Sequence, residues 1–178
     1  VETGKSGDAT RDVLEPLGVD VDYGVVFTGA VLIDSGYQVL SARYLPDGGA
    51  RDVASRTVDL PGVTTYATTI ETDYILADNN DEISPILAVF ETMTLEEMGT
   101  HRFIGVPLRV TDDTLRHRLQ EEITQRWEGV LDCHRNQDFL DFVPAGATKG
   151  SGLRALLDGP LSGREVEVWT IGDSWNDL

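Results

Sequence analysis

The chain has 178 residues, 40% of them hydrophobic and 25% charged, enough for one domain or for two small ones sharing a sheet. A formal net charge of −17 argues against a nucleic-acid backbone as partner, because affinity there comes from Lys and Arg neutralising phosphates. Membrane spanning is excluded as well: no apolar run approaches bilayer length, and Val1-Glu2-Thr3-Gly4-Lys5 does not read as a signal peptide.

Residues 1–46 open with the loop Thr3-Gly4-Lys5-Ser6-Gly7-Asp8, in which Ser6 or Asp8 can cap a short helix bearing Val13, Leu14 and Leu17 and closed by Gly18. The apolar run Gly24-Val25-Val26-Phe27 predicts a buried strand, and Thr28-Gly29 follows it. Val31-Leu32-Ile33 and Tyr37-Gln38-Val39-Leu40, joined through Asp34-Ser35-Gly36, predict a hairpin.

Residues 47–141 mix the two periodicities. A helix is expected over Asp52 to Val58, and strands over Thr64 to Ile70, Tyr74 to Ala77 and His101 to Val110. Asp112 or Asp113 caps a helix carrying Leu115, Leu119, Ile123 and Trp127 at four-residue spacing. Val130 to His134 and Phe139 to Val143 read as a closing pair of strands.

From 142 to 178 the first pattern resumes. Thr148-Lys149-Gly150 starts a helix with Leu153, Leu156 and Leu157 on one face, and the β-branched run Val166 to Ile171 predicts a strand entering Gly172-Asp173-Ser174-Trp175-Asn176-Asp177. Helices and strands alternating at both ends predict an α/β, Rossmann-like doubly wound core, incomplete and carrying an inserted α+β domain.

Three loops carry candidate chemistry. Asp173, Asn176 and Asp177 crowd carboxylates and an amide behind a strand; Mg²⁺ takes such oxygen ligands, although Asp and Asn serve equally as turn formers and helix caps. Lys149 stands where a helix begins, opposing the macrodipole but joining free N–H groups in a site for an anion; a surface lysine beside a cap is the plainer reading. Thr3 and Gly4 offer a hydroxyl and unshielded N–H groups to a phosphate oxygen, without the spacing of a nucleotide-binding P-loop. Lys5 and Lys149 are the only lysines among 14 basic residues, and both sit in glycine-flanked loops. Cys133-His134 lacks zinc spacing and a second ligand pair, and a single cysteine cannot form an internal disulfide, so a cytoplasmic location is expected.

In their order along the chain, the Thr-Gly loop, the strand ending in Thr28-Gly29-Ala30, Lys149 before a glycine and Gly172-Asp173-Ser174-x-Asn176-Asp177 resemble the Cof-type branch of the haloacid dehalogenase-like hydrolases. The likeness is closest over 139–178, where Phe139 to Gly150 is similar to the family's strand leading to its lysine. The resemblance implies a Mg²⁺-dependent phosphatase in which Thr3 and Gly4 hold the transferring phosphate and Lys149 neutralises it. It further implies that Asp173 and Asp177 serve the metal, that Asn176 touches phosphate, and that 47–141 is a cap over the substrate. Lys5 stands where the family usually has arginine, and Thr28 where it usually has asparagine.

The family's reaction starts from an aspartate in an Asp-x-Asp motif that becomes an aspartyl-phosphate, with the second aspartate as general acid and base. Asp20-Val21-Asp22 has the letters but follows a helix-ending Gly18 and precedes a strand. The chain is therefore expected to be a fragment, inactive alone, of an enzyme acting on a small-molecule phosphomonoester, with no obligate protein partner evident. Two alternatives are a non-catalytic module binding phospho-ligands, and the neighbouring branch acting on sucrose or mannosyl-3-phosphoglycerate phosphates.

Overall fold

A computed structural model describes residues 1–4, 6–80 and 90–170. Contacts divide the chain into two compact units, Val1–Arg43 with Gly146–Leu178, and Tyr44–Ala145. The sequence boundaries after 46 and 141 differ from these by a few residues because the last strand of the inserted unit runs on to Pro144 and completes its pairing there.

In the first unit Ser6 is the N-cap of α1 (Gly7–Leu14), its Oγ accepting from the Ala9 N–H, and Gly18 ends the segment at φ 63°. Strands β1 (Tyr23–Val26), β2 (Val31–Asp34) and β3 (Val39–Ala42) form an antiparallel sheet in that order. Glu2 lies parallel alongside β1, bridged to Val25. After the inserted unit, α4 (Lys149–Asp158) begins with a capping box in which Thr148 Oγ1 accepts from the Ser151 N–H and Ser151 Oγ accepts from the Thr148 N–H. The expected strand from Val166 does not form among the described residues: 166–170 are exposed and unpaired in any ladder, and Trp169 is 82% exposed. Residue 171 lies outside the described residues.

The inserted unit holds a sheet of order β6-β5-β4-β7-β9-β8, with α2 (Gly49–Thr57) and α3 (Asp113–Arg126) packed on it. The strands are β4 (Val63–Thr68), β5 (Asp73–Asp78), β6 (Glu91–Thr92), β7 (Val106–Val110), β8 (Leu131–Asn136) and β9 (Phe139–Pro144). Alternate residues Val106, Leu108 and Val110 point into one core with Val63, Ala67, Leu140, Phe142, Val53, Leu119 and Ile123. Each such large apolar side chain contributes roughly 1.5–3 kcal/mol by leaving water. The strand expected over 101–110 starts only at Val106. Upstream of it the backbone serves two neighbours, Phe103 C=O accepting from Leu45 N–H and Ile104 N–H donating to Thr68 C=O, instead of one ladder.

Asp52 ties the two helices together. It accepts from Arg126 Nε at 2.7 Å, Trp127 Nε1 at 2.9 Å and Arg56 Nε at 3.1 Å. Partial burial pushes its carboxyl up, but the hydrogen bonds from Arg126, Arg56 and Trp127 outweigh this and hold it well below the usual carboxylate range. Asp52→Asn should therefore destabilise the protein by about 1–3 kcal/mol at pH 7. A depressed folded pKa contributes stability that is full above the ordinary aspartate value of about 3.9 and is lost as pH falls below it. In urea melts the gap between wild type and Asp52→Asn should accordingly be full at pH 7 and shrink at pH 3.

Candidate functional site

The first strand and its two flanks bring three of the motif loops to one place. Val1 C=O accepts from the Val25 N–H at 2.8 Å and Thr3 N–H donates to Val25 C=O at 2.9 Å, so the opening segment runs along β1 toward its carboxyl end. There the chain turns through Phe27-Thr28-Gly29, with φ of 50°, 55° and 92°, a run of left-handed residues that only glycine adopts freely. Thr28 N–H donates to Thr3 C=O at 3.3 Å, fastening this elbow to the Thr3-Gly4 loop.

The start of α4 rests on the same elbow. A Cβ on Gly29 would lie 1.9 Å from the Thr148 carbonyl oxygen, and one on Gly152 would lie 2.3 Å from Val25 Cγ1 and 3.1 Å from Gly29 Cα. Two glycines thus let helix, strand and elbow meet backbone to backbone. Arg43 Nη1 donates to Gly146 C=O at 2.8 Å and holds the segment leading into α4.

Thr3 and Lys149 are half-buried and Gly4 is exposed, and the loops that bear them meet at the elbow beyond the carboxyl end of β1. This is the end of a strand where open α/β folds bind ligands. Lys149 occupies the first helical position of α4, where first-turn N–H groups and the helix dipole favour an anion. Asp20 and Asp22 lie in the loop before Tyr23, at the opposite end of β1. Asp173, Asn176 and Asp177 fall outside the described residues, as does Lys5. Among the described residues no group of three His, Cys, Asp or Glu could hold a metal ion, and the hydroxyl, amides and ammonium found here suit a phosphate. The left-handed elbow was not legible beforehand: Thr28-Gly29 reads as an ordinary strand end, and only Gly29 hints at a backbone approach.

A separate titratable group lies in the inserted unit. Asp141 on β9 stands across from His134 on β8 and Pro107 on β7. Burial pushes its carboxyl up to about 6 against the opposing pull of His134, and burial also raises the Cys133 thiol to about 12, leaving that cysteine inert at neutral pH.

A haloacid dehalogenase-like hydrolase family model matches residues 1–178, and the chain belongs to that family. The solved structures it resembles share its fold. A Thermotoga maritima protein superposes with a TM-score of 0.71 at 20% identity, covering 88% of this chain and 60% of that one. A haloacid dehalogenase-like hydrolase from B. subtilis gives 0.69 at 15% identity, over 90% and 66%. A subclass IIB sugar phosphatase gives 0.67 at 15% identity, over 88% and 60%. The chain thus spans about 60–66% of the length of these structures. Comparison with curated proteins gives no match. The fold is the family's Rossmann-like core with an inserted α+β cap, as the alternation of elements predicted.

Two outcomes follow from this geometry. Gly29→Ala should cost about 2–4 kcal/mol, since a methyl would overlap a carbonyl on a left-handed backbone, and a thermal melt measures the loss. Asp141→Asn should stabilise the protein above pH 6. A raised carboxylate pKa makes wild-type stability fall as pH rises from about 4 to 6, so the variant's advantage should appear across that window in melts.

Proposed function

We propose that the protein is a Mg²⁺-dependent phosphomonoester hydrolase acting on sugar phosphates. Supporting this is the convergence of the Thr3-Gly4 loop, the 27–29 elbow and the Lys149 helix start at the carboxyl end of β1. A subclass IIB sugar phosphatase among the similar structures, and another from a phosphoryl-transfer superfamily, favour the same chemistry.

In this reading Thr3 and Gly4 bind the equatorial oxygens of the phosphoryl group, and Lys149 offsets the charge that builds on them. Such preorganised donors act mainly in the transition state. Asn176 touches phosphate, and Asp173 and Asp177 hold Mg²⁺, which when bound screens the phosphoryl charge. The attacking oxygen is a carboxylate's: it bonds to phosphorus as the ester P–O bond breaks, the leaving oxygen takes a proton from a second carboxylic acid, and water then cleaves the acyl phosphate to free phosphate. Asp20 and Asp22 are poorly placed for this attack, being at the far end of β1. The region 47–141 carries 8 arginines and no lysine against 19 carboxylates, and this net −11, in a cap that closes over the substrate as the family resemblance implies, would repel polyanions. A monophosphate with a neutral, hydroxyl-rich leaving group fits that field better than a nucleotide polyphosphate.

The 178-residue chain with Mg²⁺ should not turn over an aryl phosphate, whereas a protein extended by joining a strand that ends in Asp-x-Asp upstream of Val1 should. In the extended protein, Lys149→Ala should lower kcat and kcat/KM together by about 10²–10³, and Asp173→Asn should raise the Mg²⁺ requirement. Turnover by the 178-residue chain, or near-normal kinetics in either variant, would overturn these assignments. Saturable phosphate binding without turnover by the extended protein would favour a binding module instead. Higher kcat/KM for nucleoside triphosphates or sugar bisphosphates than for every sugar monophosphate would sink the substrate class.

A further inference from the structure

Thr28 is held in a conformation that its own side chain disfavours. Its φ of 55° and ψ of 31° lie in the left-handed region, where a β-branched residue is an outlier, and the preceding Phe27 is left-handed too. Glycine or asparagine would occupy this point at less cost, so the backbone alone gives no reason for threonine.

The hydroxyl adds a second unexplained feature. Thr28 is only 7% exposed, and among the described residues its Oγ1 has no hydrogen-bond partner, although its backbone N–H is bonded to Thr3. The oxygen is not sealed from solvent, so it stands open at the elbow as a donor that no described protein group uses. Its direction is fixed by its neighbour: Oγ1 is the nearest atom, at 3.5 Å, to the point where a Cβ on Gly4 would sit. It therefore faces the Thr3-Gly4 loop from the elbow on which the first turn of α4 rests. Because Gly4 carries no side chain, a ligand oxygen can enter between the two.

We propose that Thr28 is a substrate-binding residue whose Oγ1–H donates to an oxygen of the phosphoryl group held by the Thr3-Gly4 loop and the start of α4. The assignment rests on the reading of this site as a phosphate site. An anion completes the unpaired hydroxyl, and the left-handed elbow is what aims it. Strain kept at a point where an open hydroxyl faces a ligand loop is the pattern of a preorganised site.

The test is a titration of the 178-residue chain with inorganic phosphate in the presence of Mg²⁺, following the Gly4 and Thr28 amide resonances, with a thermal melt of each variant. Wild type should saturate. Thr28→Ser, which keeps the hydroxyl, should bind within about threefold of wild type, and Thr28→Ala should bind about tenfold or more weakly. Both variants should melt at similar temperatures, so that folding does not account for the difference in affinity. Wild-type affinity in Thr28→Ala, or equal weakening in Thr28→Ser, overturns the role of the hydroxyl while leaving the phosphate site standing. No saturable binding by wild type, or binding undiminished in Lys149→Ala, overturns the phosphate site and this inference with it.

Discussion

The contact between Gly29 and the Thr148 carbonyl sets the geometry of the core unit. A side chain at position 29 would occupy the space that the helix start needs, since its Cβ would fall 1.9 Å from that oxygen. With hydrogen there instead, the first turn of α4 sits directly on the elbow, and Gly152 closes the same interface against Val25. The N-terminal segment is drawn in by backbone bonds to Val25 and Thr28. Three stretches far apart in sequence are thus positioned by main-chain contacts, which tolerate less play than side-chain packing would.

That arrangement also explains how the chain tolerates a large insertion. Arg43, the last residue before the inserted unit, bonds through its guanidinium to the carbonyl of Gly146, the first residue after it, and through its own N–H to Ala30. Exit and re-entry are clamped side by side, so the core closes whatever lies between. The inserted unit has a core of its own, because its six-stranded sheet and two helices bury a separate apolar cluster. Asp52 shows how that unit is finished at its surface, with one carboxylate receiving three donors from both helices.

Much of this was legible in the sequence wherever local chemistry decides the outcome. Ser6, Asp112 and Thr148 cap the helices that their positions announce, and the four-residue spacing of Leu119 and Ile123 marks the buried face of α3. The strand runs of the cap were found because alternation at Val106, Leu108 and Val110 survives in any tertiary setting. Legibility failed where distant backbone decides. Residues 101–104 have strand composition, yet Phe103 and Ile104 are bonded to Leu45 and Thr68 in different directions. Val166 to Thr170 has the β-branched signature of a strand and pairs with nothing among the described residues. Of the site, the glycines and Lys149 could be named in advance, but not the left-handed run that joins them, because Phe27 and Thr28 have no propensity for it.

The elbow's conformation must then be imposed from outside. Each left-handed non-glycine residue costs about 1–2 kcal/mol, and Phe27 and Thr28 bear that cost in succession. Opposing it are the buried neighbours on both sides, Val25 and Val26 before the turn and Ala30 and Val31 after it, and the pairing of Val26 with Val31 between β1 and β2 fixes the endpoints. The short reversal between Val26 and Val31 leaves the chain no room to turn by a longer, relaxed loop. The Thr3 carbonyl and the α4 start then hold the turn from two further sides. Relaxing the elbow would require breaking the β1–β2 register, losing several kcal/mol of apolar burial to recover a smaller backbone cost. The strain is therefore stable, and it can hold the elbow's groups in place whether or not a ligand is bound.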